Sequence, residues 1–258
     1  MNERESFQPI SVKHPNAHPL LFGLRCVVDL QLATIVKHLR PALSTLRGSV
    51  LDVGAGQSPW RSWLPTSVAY RGLDIVEADE FGMGHSRADI TYYNGRVMPF
   101  GTAEFDNAIC IEVLEHAQDP RQLLNEISRV MKSGGTLLLT IPWSARRHHI
   151  PHDYQRFTRE GLLLLLSENG FSDVTIVERG NDIGAIANKL TILTIRLIRP
   201  EASIHAFWTI PLGLLCAPVA AIFIFMAHCS DAFGMGSKED PLGYFVRAQR
   251  KATPENGK

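Results

Sequence analysis

The sequence is short of the features that would place it at once. Its 258 residues hold four cysteines, Cys26, Cys110, Cys216 and Cys229, with no CxxC pair. That excludes a disulfide framework and fits a reducing, cytoplasmic setting. Charge of neither sign prevails, since Lys+Arg and Asp+Glu each count 26, so no broad basic field points to nucleic acid. The polar, Pro-containing opening "MNERESFQPISVKHPNAHP" lacks the apolar region of a signal peptide. Internal repeats and low-complexity tracts are missing too. What remains is a chain long enough for one large α/β domain with an elaboration.

Residues 1–18 read as a loose arm, and 20–46 as helix-compatible, with Pro41 expected to bend or divide the helix. Short apolar runs follow at 50–53, 68–75, 105–111, 136–142 and 173–180. Between them lie helical patterns. One starts at Asp119-Pro120 and is expected to stop at Gly134 and Gly135; another runs from Thr158 to near Gly170. Ser58-Pro59 is expected to cap a brief helix. Strands alternating with helices imply a mostly parallel sheet covered on both faces.

The first apolar run leads into "VLDVGAGQSPW" (50–60), a strand-to-turn position where open parallel sheets bind ligands. A phosphate-gripping loop is excluded because no GKS or GKT follows. The dinucleotide fingerprint GxGxxG fails at its third glycine, which would be Pro59. Asp52, directly before "VGAG", would repel a pyrophosphate but suits an ammonium or sulfonium group. Asp74 ends the next strand, where a carboxylate can accept two ribose hydroxyl protons. Together these favour S-adenosylmethionine over a dinucleotide; the plain alternative is two glycines in an ordinary turn.

Further stretches agree: "YRGLDI", "ADI", "MPFGTAEFDNAICIEVLEHAQDP", "LLNEISRVMKSGGTLLLTIP" and "FTREGLLLLLSENGF", in this order over about residues 48–180. With "VLDVGAG" they make the chain resemble the class I S-adenosylmethionine-dependent methyltransferases, most closely the type 11 group. The resemblance implies an α/β fold: a Rossmann-like seven-stranded methyltransferase sheet with helices on both faces, here with an apolar helical insertion before the last strand. It implies a division into an N-terminal arm and helix (1–47), a cofactor-binding core (48–182), the insertion (183–235), and a last strand and tail (236–258). By the same resemblance Asp52, Gly54, Ala55 and Gly56 surround the methionine portion of S-adenosylmethionine, Asp74 and Ile75 hold the ribose, and Asp89 lies near the adenine. Glu112 and Val113, with Leu114, Glu115 and His116, form the loop beside the cofactor and the reacting methyl. Ser58 departs from the pattern, standing where many members place a third glycine. Asp89 can also be read as a solvated loop acid, and Glu112 as an acid at a helix start.

Methyl transfer to an activated carbon leans on positioning, with a base only where the acceptor must lose a proton. Candidate catalytic groups are His116 and, in "IPWSARRHHIPHDYQRFTREG", His149, His152, Asp153 and Tyr154, with His148 beside them. Arg146, Arg147 and Arg156 could meet an anionic acceptor. Asp153, Tyr154 and Arg156 can equally be read as pinning this loop to the next helix. No metal is expected, because the sequence offers no convincing ligand set beyond the histidines.

From Ala202 to Ser230 there is no Asp, Glu, Lys or Arg. This run is long enough to span a hydrocarbon core of about 30 Å, and Lys189, Arg196 and Arg199 before it suit an anionic membrane surface. A single crossing is excluded if the following strand pairs with 173–180. A returning hairpin, an interfacial helix pair or a buried cap is expected instead, with Pro211 and Pro218 favouring a broken path. The sequence is therefore read as a methyltransferase working at or near the cytoplasmic membrane face on an oxygen of a lipid-linked, glycan or other small acceptor. Partners would be that acceptor, the membrane surface and a second copy as a homodimer, without nucleic acid. The rivals are a catalytically silent membrane-associated binding protein of the same fold and a dinucleotide-dependent oxidoreductase.

Overall fold

Each apolar run becomes a strand, and the central ones, 50–53, 105–111 and 136–142, are buried almost throughout. The computed structural model describes residues 12, 14–78, 88–200 and 203–252, so most of the expected arm, 1–11 and 13, lies outside the described residues. Two helices come first, α1 (Pro19–Val28) and α2 (Leu30–Ser44), followed by β1 (Ser49–Val53), β2 (Ala69–Ile75), β3 (Ile90–Tyr93) and β4 (Phe105–Ile111). Then come α3 (Pro120–Val130), β5 (Met131–Pro142), α4 (Arg159–Glu168), β6 (Phe171–Arg179), α5 (Asp182–Ile198), α6 (Ala206–Phe233) and β7 (Gly243–Arg250). The sheet order is β3-β2-β1-β4-β5-β7-β6. All neighbours are parallel except β7, which runs antiparallel to both β5 and β6. This is the Rossmann-like methyltransferase sheet that the sequence implied.

Side-chain alternation splits the core into two layers. Leu51, Val53, Ala108, Cys110, Leu137 and Leu139 face Leu124, Ile127 and Val130 of α3 and Leu162, Leu165 and Leu166 of α4. Val50, Ile109, Ile111 and Leu138 face Leu32, Ile35, Leu39 and Leu43 of α2. Each fully buried leucine contributes about 1.5–3 kcal/mol of transfer free energy, so α2 is an integral face of the core.

Several expected boundaries move. The N-terminal helical pattern breaks at Asp29, where α1 and α2 meet at 118°, and α2 continues through Pro41. Asp29 stops one helix and starts the other, its carboxylate accepting from Leu32 N–H at 3.0 Å. Pro41 sits in the last turn of α2, where few later backbone bonds depend on it. Helix α3 ends at Val130 rather than at Gly134, because Met131 is buried and pairs with Phe105. Gly134, at φ +74°, lies within the irregular first half of β5.

The apolar insertion is a helical hairpin, α5 running out and α6 returning. Neither Pro211 nor Pro218 interrupts α6; packing along α5 holds its axis through both. Gly213, Ala220 and Ala227 line the buried stripe of α6. At Gly213 the helices approach so closely that an added Cβ would lie 2.8 Å from Ile198 Cγ1. The other side of α6 is bare: Phe207 is 84% exposed and Leu215 71%. The segment is therefore no buried cap.

Candidate cofactor and acceptor site

The site starts where β1 ends. Gly54 turns the chain at φ +71°, and its N–H and that of Ala55 donate to Leu73 O at 2.9 and 3.0 Å. Any Cβ on Gly54 would lie 2.4 Å from Val113 Cγ2. Gly56, at φ +49°, donates its N–H to Asp74 Oδ2 at 2.8 Å, and Ile75 N–H donates to Asp74 Oδ1 at 2.8 Å. A carboxylate accepts about four hydrogen bonds, so Asp74 keeps lone pairs for two ribose hydroxyls. Gly54, Ala55, Gly56, Asp74, Ile75 and Val113 thus meet at the carboxyl ends of β1, β2 and β4.

Ser58 does not cap a helix. It stands at φ +52°, outside the extended conformation an N-cap requires, and only a 3₁₀ turn, Arg61–Trp63, follows. The left-handed backbone explains why this position suits glycine. Here the serine hydroxyl has a use: Tyr70 Oη lies 2.9 Å from Ser58 Oγ and 2.7 Å from Asp52 Oδ2. Asp52 is buried. Desolvation pushes its pKa up to about 7 against the Tyr70 hydrogen bond, with Asp74 adding to the rise. Burial also raises Asp74, opposed by the Gly56 and Ile75 N–H groups.

Two expected cofactor residues have protein partners. Asp89 pairs with Arg61 at 2.7 Å. Glu112, at φ +55°, turns its carboxylate to Arg179 Nη2 at 2.8 Å. Arg179 is fully buried and also donates to Tyr244 O, Ile141 O and Gln31 O. Glu112 therefore closes a charge pair beneath the cofactor loop, an arrangement its sequence position did not reveal.

The histidine loop lies over the end of β4. His116 Nδ1 is 2.7 Å from His152 O, and Tyr154 N–H donates to Glu115 O at 3.0 Å, so the loop after β5 is laced to the turn after β4. Asp153 is held by both Arg156 nitrogens, at 2.6 and 2.8 Å, and by His148 N–H at 3.0 Å. Burial works to raise the Asp153 pKa, but hydrogen bonds from His148 and Arg156 outweigh it and hold the carboxyl well below the usual range. Asp153 and Arg156 thus serve the loop's shape, the first as no proton acceptor and the second as no free anion receptor. Tyr154 Oη accepts from Gln118 and lies 3.0 Å from His152 Nδ1. His116, His148 and His149 cluster, with the His116 ring centroid 4.8 Å from that of His148 and 5.2 Å from that of His149. Glu115 is buried beside them, its Oε1 3.6 Å from His116 Nε2. Desolvation lowers the His116 pKa to about 4, and His148 adds to the fall.

Sequence reasoning missed Tyr70, Arg179 and the place of Glu115. An arginine closing the apolar run "DVTIVERG" was the available signal for the second; for the others nothing local sets them apart.

The residues fit S-adenosylmethionine. The Gly54 cradle would be filled by any Cβ, Asp74 keeps acceptor capacity, and Asp52 is a buried acid whose ionisation a nearby cation would favour. Comparisons with known proteins agree. Residues 28–176 match the family described as a methyltransferase domain. The chain is 23% identical over 182 residues to the O-methyltransferase rstn1 of Aspergillus nomiae, covering 62% of this chain and 81% of that one. It is 34% identical over 100 residues to a protein of Mycolicibacterium smegmatis named as an S-adenosylmethionine-dependent methyltransferase, covering 36% of this chain and 37% of that one. Among solved structures, the [4+2]-cyclase SpnF shares the fold with a TM-score of 0.53 at 20% identity, covering 86% of this chain and 83% of that one. The chain belongs to the methyltransferase-domain family, and it is a class I S-adenosylmethionine-dependent methyltransferase.

Proposed function

We propose that this methyltransferase works on the cytoplasmic face of a membrane, as a peripheral protein, and methylates an oxygen of a lipid-linked, glycan or other small acceptor. The observation that carries the reading is the bare side of α6. The stretch 203–233 reaches a mean hydropathy of 2.4 over its most apolar window, of which only 17% is buried. Soluble monomers rarely leave so long an apolar face to water. Leu20, Leu21 and Leu24 of α1 are also exposed, and His228 of α6 bonds Val27 O at the end of α1, so α1 extends the apolar surface. Lys189, Arg196 and Arg199 are exposed on or just after α5, placed to meet anionic headgroups.

Since β6 and β7 are neighbours, the hairpin must leave and rejoin the sheet on one side of the bilayer. A dipping or in-plane hairpin satisfies this and a single crossing does not. When bound, S-adenosylmethionine supplies a methyl carbon activated by its sulfonium. The chain's part is to hold the ribose with Asp74, offer Asp52 to the amino acid portion, and fix the acceptor at the histidine loop. The Aspergillus relative's name, O-methyltransferase, supports an oxygen acceptor.

The test is flotation with vesicles of bacterial phospholipid extract and radiolabelled S-adenosylmethionine. Protein and base-stable label should rise together with the vesicles. Protein that stays at the bottom as a stable dimer would assign α6 to a subunit interface and end the membrane reading. Floating protein with label only in the aqueous phase would end the lipid-linked reading.

A further inference from the structure

We propose that His116, His148, His149 and Glu115 bind one divalent transition-metal ion, zinc by the chemistry of the donors, on the acceptor side of the methyltransferase site. One ligand atom from each histidine lies within 4.8 Å of the others. The orientation of two rings is set from behind. A carbonyl oxygen only accepts, so His116 Nδ1, 2.7 Å from His152 O, carries the proton, and its Nε2 presents a lone pair. His148 Nδ1 lies 3.1 Å from Arg146 O and 3.5 Å from Asp153 Oδ2, which leaves its Nε2 unprotonated as well. This backing by carbonyl and carboxylate is what metal-bound histidines ordinarily have. His149 is held at φ +53°, a conformation a non-glycine residue adopts only under constraint.

The Nε2 atoms of both rings lie near one carboxylate oxygen. Glu115 Oε1 is 3.6 Å from His116 Nε2 and 4.0 Å from His148 Nε2. Two ligands of a tetrahedral zinc with bonds of about 2.1 Å stand roughly 3.4 Å apart. Small ring rotations would therefore close the set. Glu115 is fully buried, and neither carboxylate oxygen has a hydrogen-bond partner among the described residues. An acid so placed is costly to bury in either protonation state, and a cation between it and the imidazoles supplies the missing partner.

Resting on the methyltransferase reading, the ion has a use. Zinc can expand to five ligands and lowers the pKa of a bound hydroxyl, so it would ready an acceptor oxygen for attack on the methyl carbon.

The test uses untagged full-length protein, stripped with a chelator and titrated with cobalt(II). We expect one equivalent to produce visible absorption, displaced by zinc. Glu115→Gln and His148→Ala should each weaken uptake at least 10-fold while S-adenosylhomocysteine binding, followed by calorimetry, persists. Protein that binds S-adenosylhomocysteine but takes up neither metal overturns the proposal, as does uptake unchanged in both variants. Metal uptake without any S-adenosylhomocysteine binding would uphold the site and remove the methyltransferase reading.

Discussion

Asp52 concentrates the tension of the site in one side chain. Its folded pKa, about 7, stands above the ordinary carboxylate value near 4 because it is buried. A raised pKa means that its contribution to stability is fully present below about pH 4 and is lost as pH rises through 7, on the order of 4 kcal/mol at most. Asp52→Asn should therefore leave urea stability near wild type at about pH 3 and raise it at pH 8. The same variant should weaken S-adenosylhomocysteine, whose ammonium group needs the charge. Equal stability of the two proteins at pH 8 would sink the argument. Asp74 is different, because two backbone N–H groups already steady it. Asp74→Asn can keep only one of those two backbone bonds, since its amide nitrogen cannot accept, and it loses charged hydrogen bonds to the ribose worth about 1.5–3 kcal/mol. Calorimetry should show S-adenosylhomocysteine binding weakened roughly 10- to 100-fold. Both acids were singled out in the sequence, and the structure brings them together beside the Gly54–Gly56 turn. The Tyr70 hydroxyl that bridges Asp52 and Ser58 was not, because its partners lie on a different strand and turn.

At the scale of elements, two cases show how local rules meet tertiary packing. Pro41, Pro211 and Pro218 all sit inside helices, although proline in a helix interior costs about 3 kcal/mol. Packing of α2 on the sheet and of α6 on α5 outweighs that cost. The break that does occur is at Asp29, whose carboxylate caps α2 and also pairs with Arg25 at 3.3 Å. Asp29→Ala should cost about 1 kcal/mol, read as a lower urea midpoint with unchanged m-value. A variant as stable as wild type would show that packing of Leu30 and Leu32 alone fixes the corner. All strands but the four-residue β3, and the start of α3, were readable from periodicity and caps. The end of α3 was not, since it is decided by the pairing of Met131 with Phe105 on a strand distant in sequence.

For the molecule as a whole, Arg179 ties the parts together. It joins the end of β6 to β5 and β7 and to α2, and its charge is met by Glu112 at the rim of the cofactor loop. Removing one partner of a buried pair costs about 3–5 kcal/mol. Arg179→Met should lower the urea midpoint far more than Arg159→Ala, whose pair with Glu178 is exposed. Comparable losses would assign Arg179 no special role. The hairpin stands apart from this network over its outer half, so Phe207→Glu with Leu215→Glu should abolish flotation and leave the urea transition of the sheet in place.

By itself the sequence determined the sheet, the Gly54–Gly56 turn with its two acids, and the presence of an uncharged segment between the last two strands. These are properties of local periodicity and of short fixed spacings, which survive without knowledge of neighbours. Only the tertiary structure decided that α6 is one helix with a bare side, that Asp153 and Arg156 spend themselves on each other, and that Glu115 faces His116 and His148 from two different loops. Each of those outcomes depends on which surfaces meet across the fold, and burial, hydrogen bonding and charge pairing are set there.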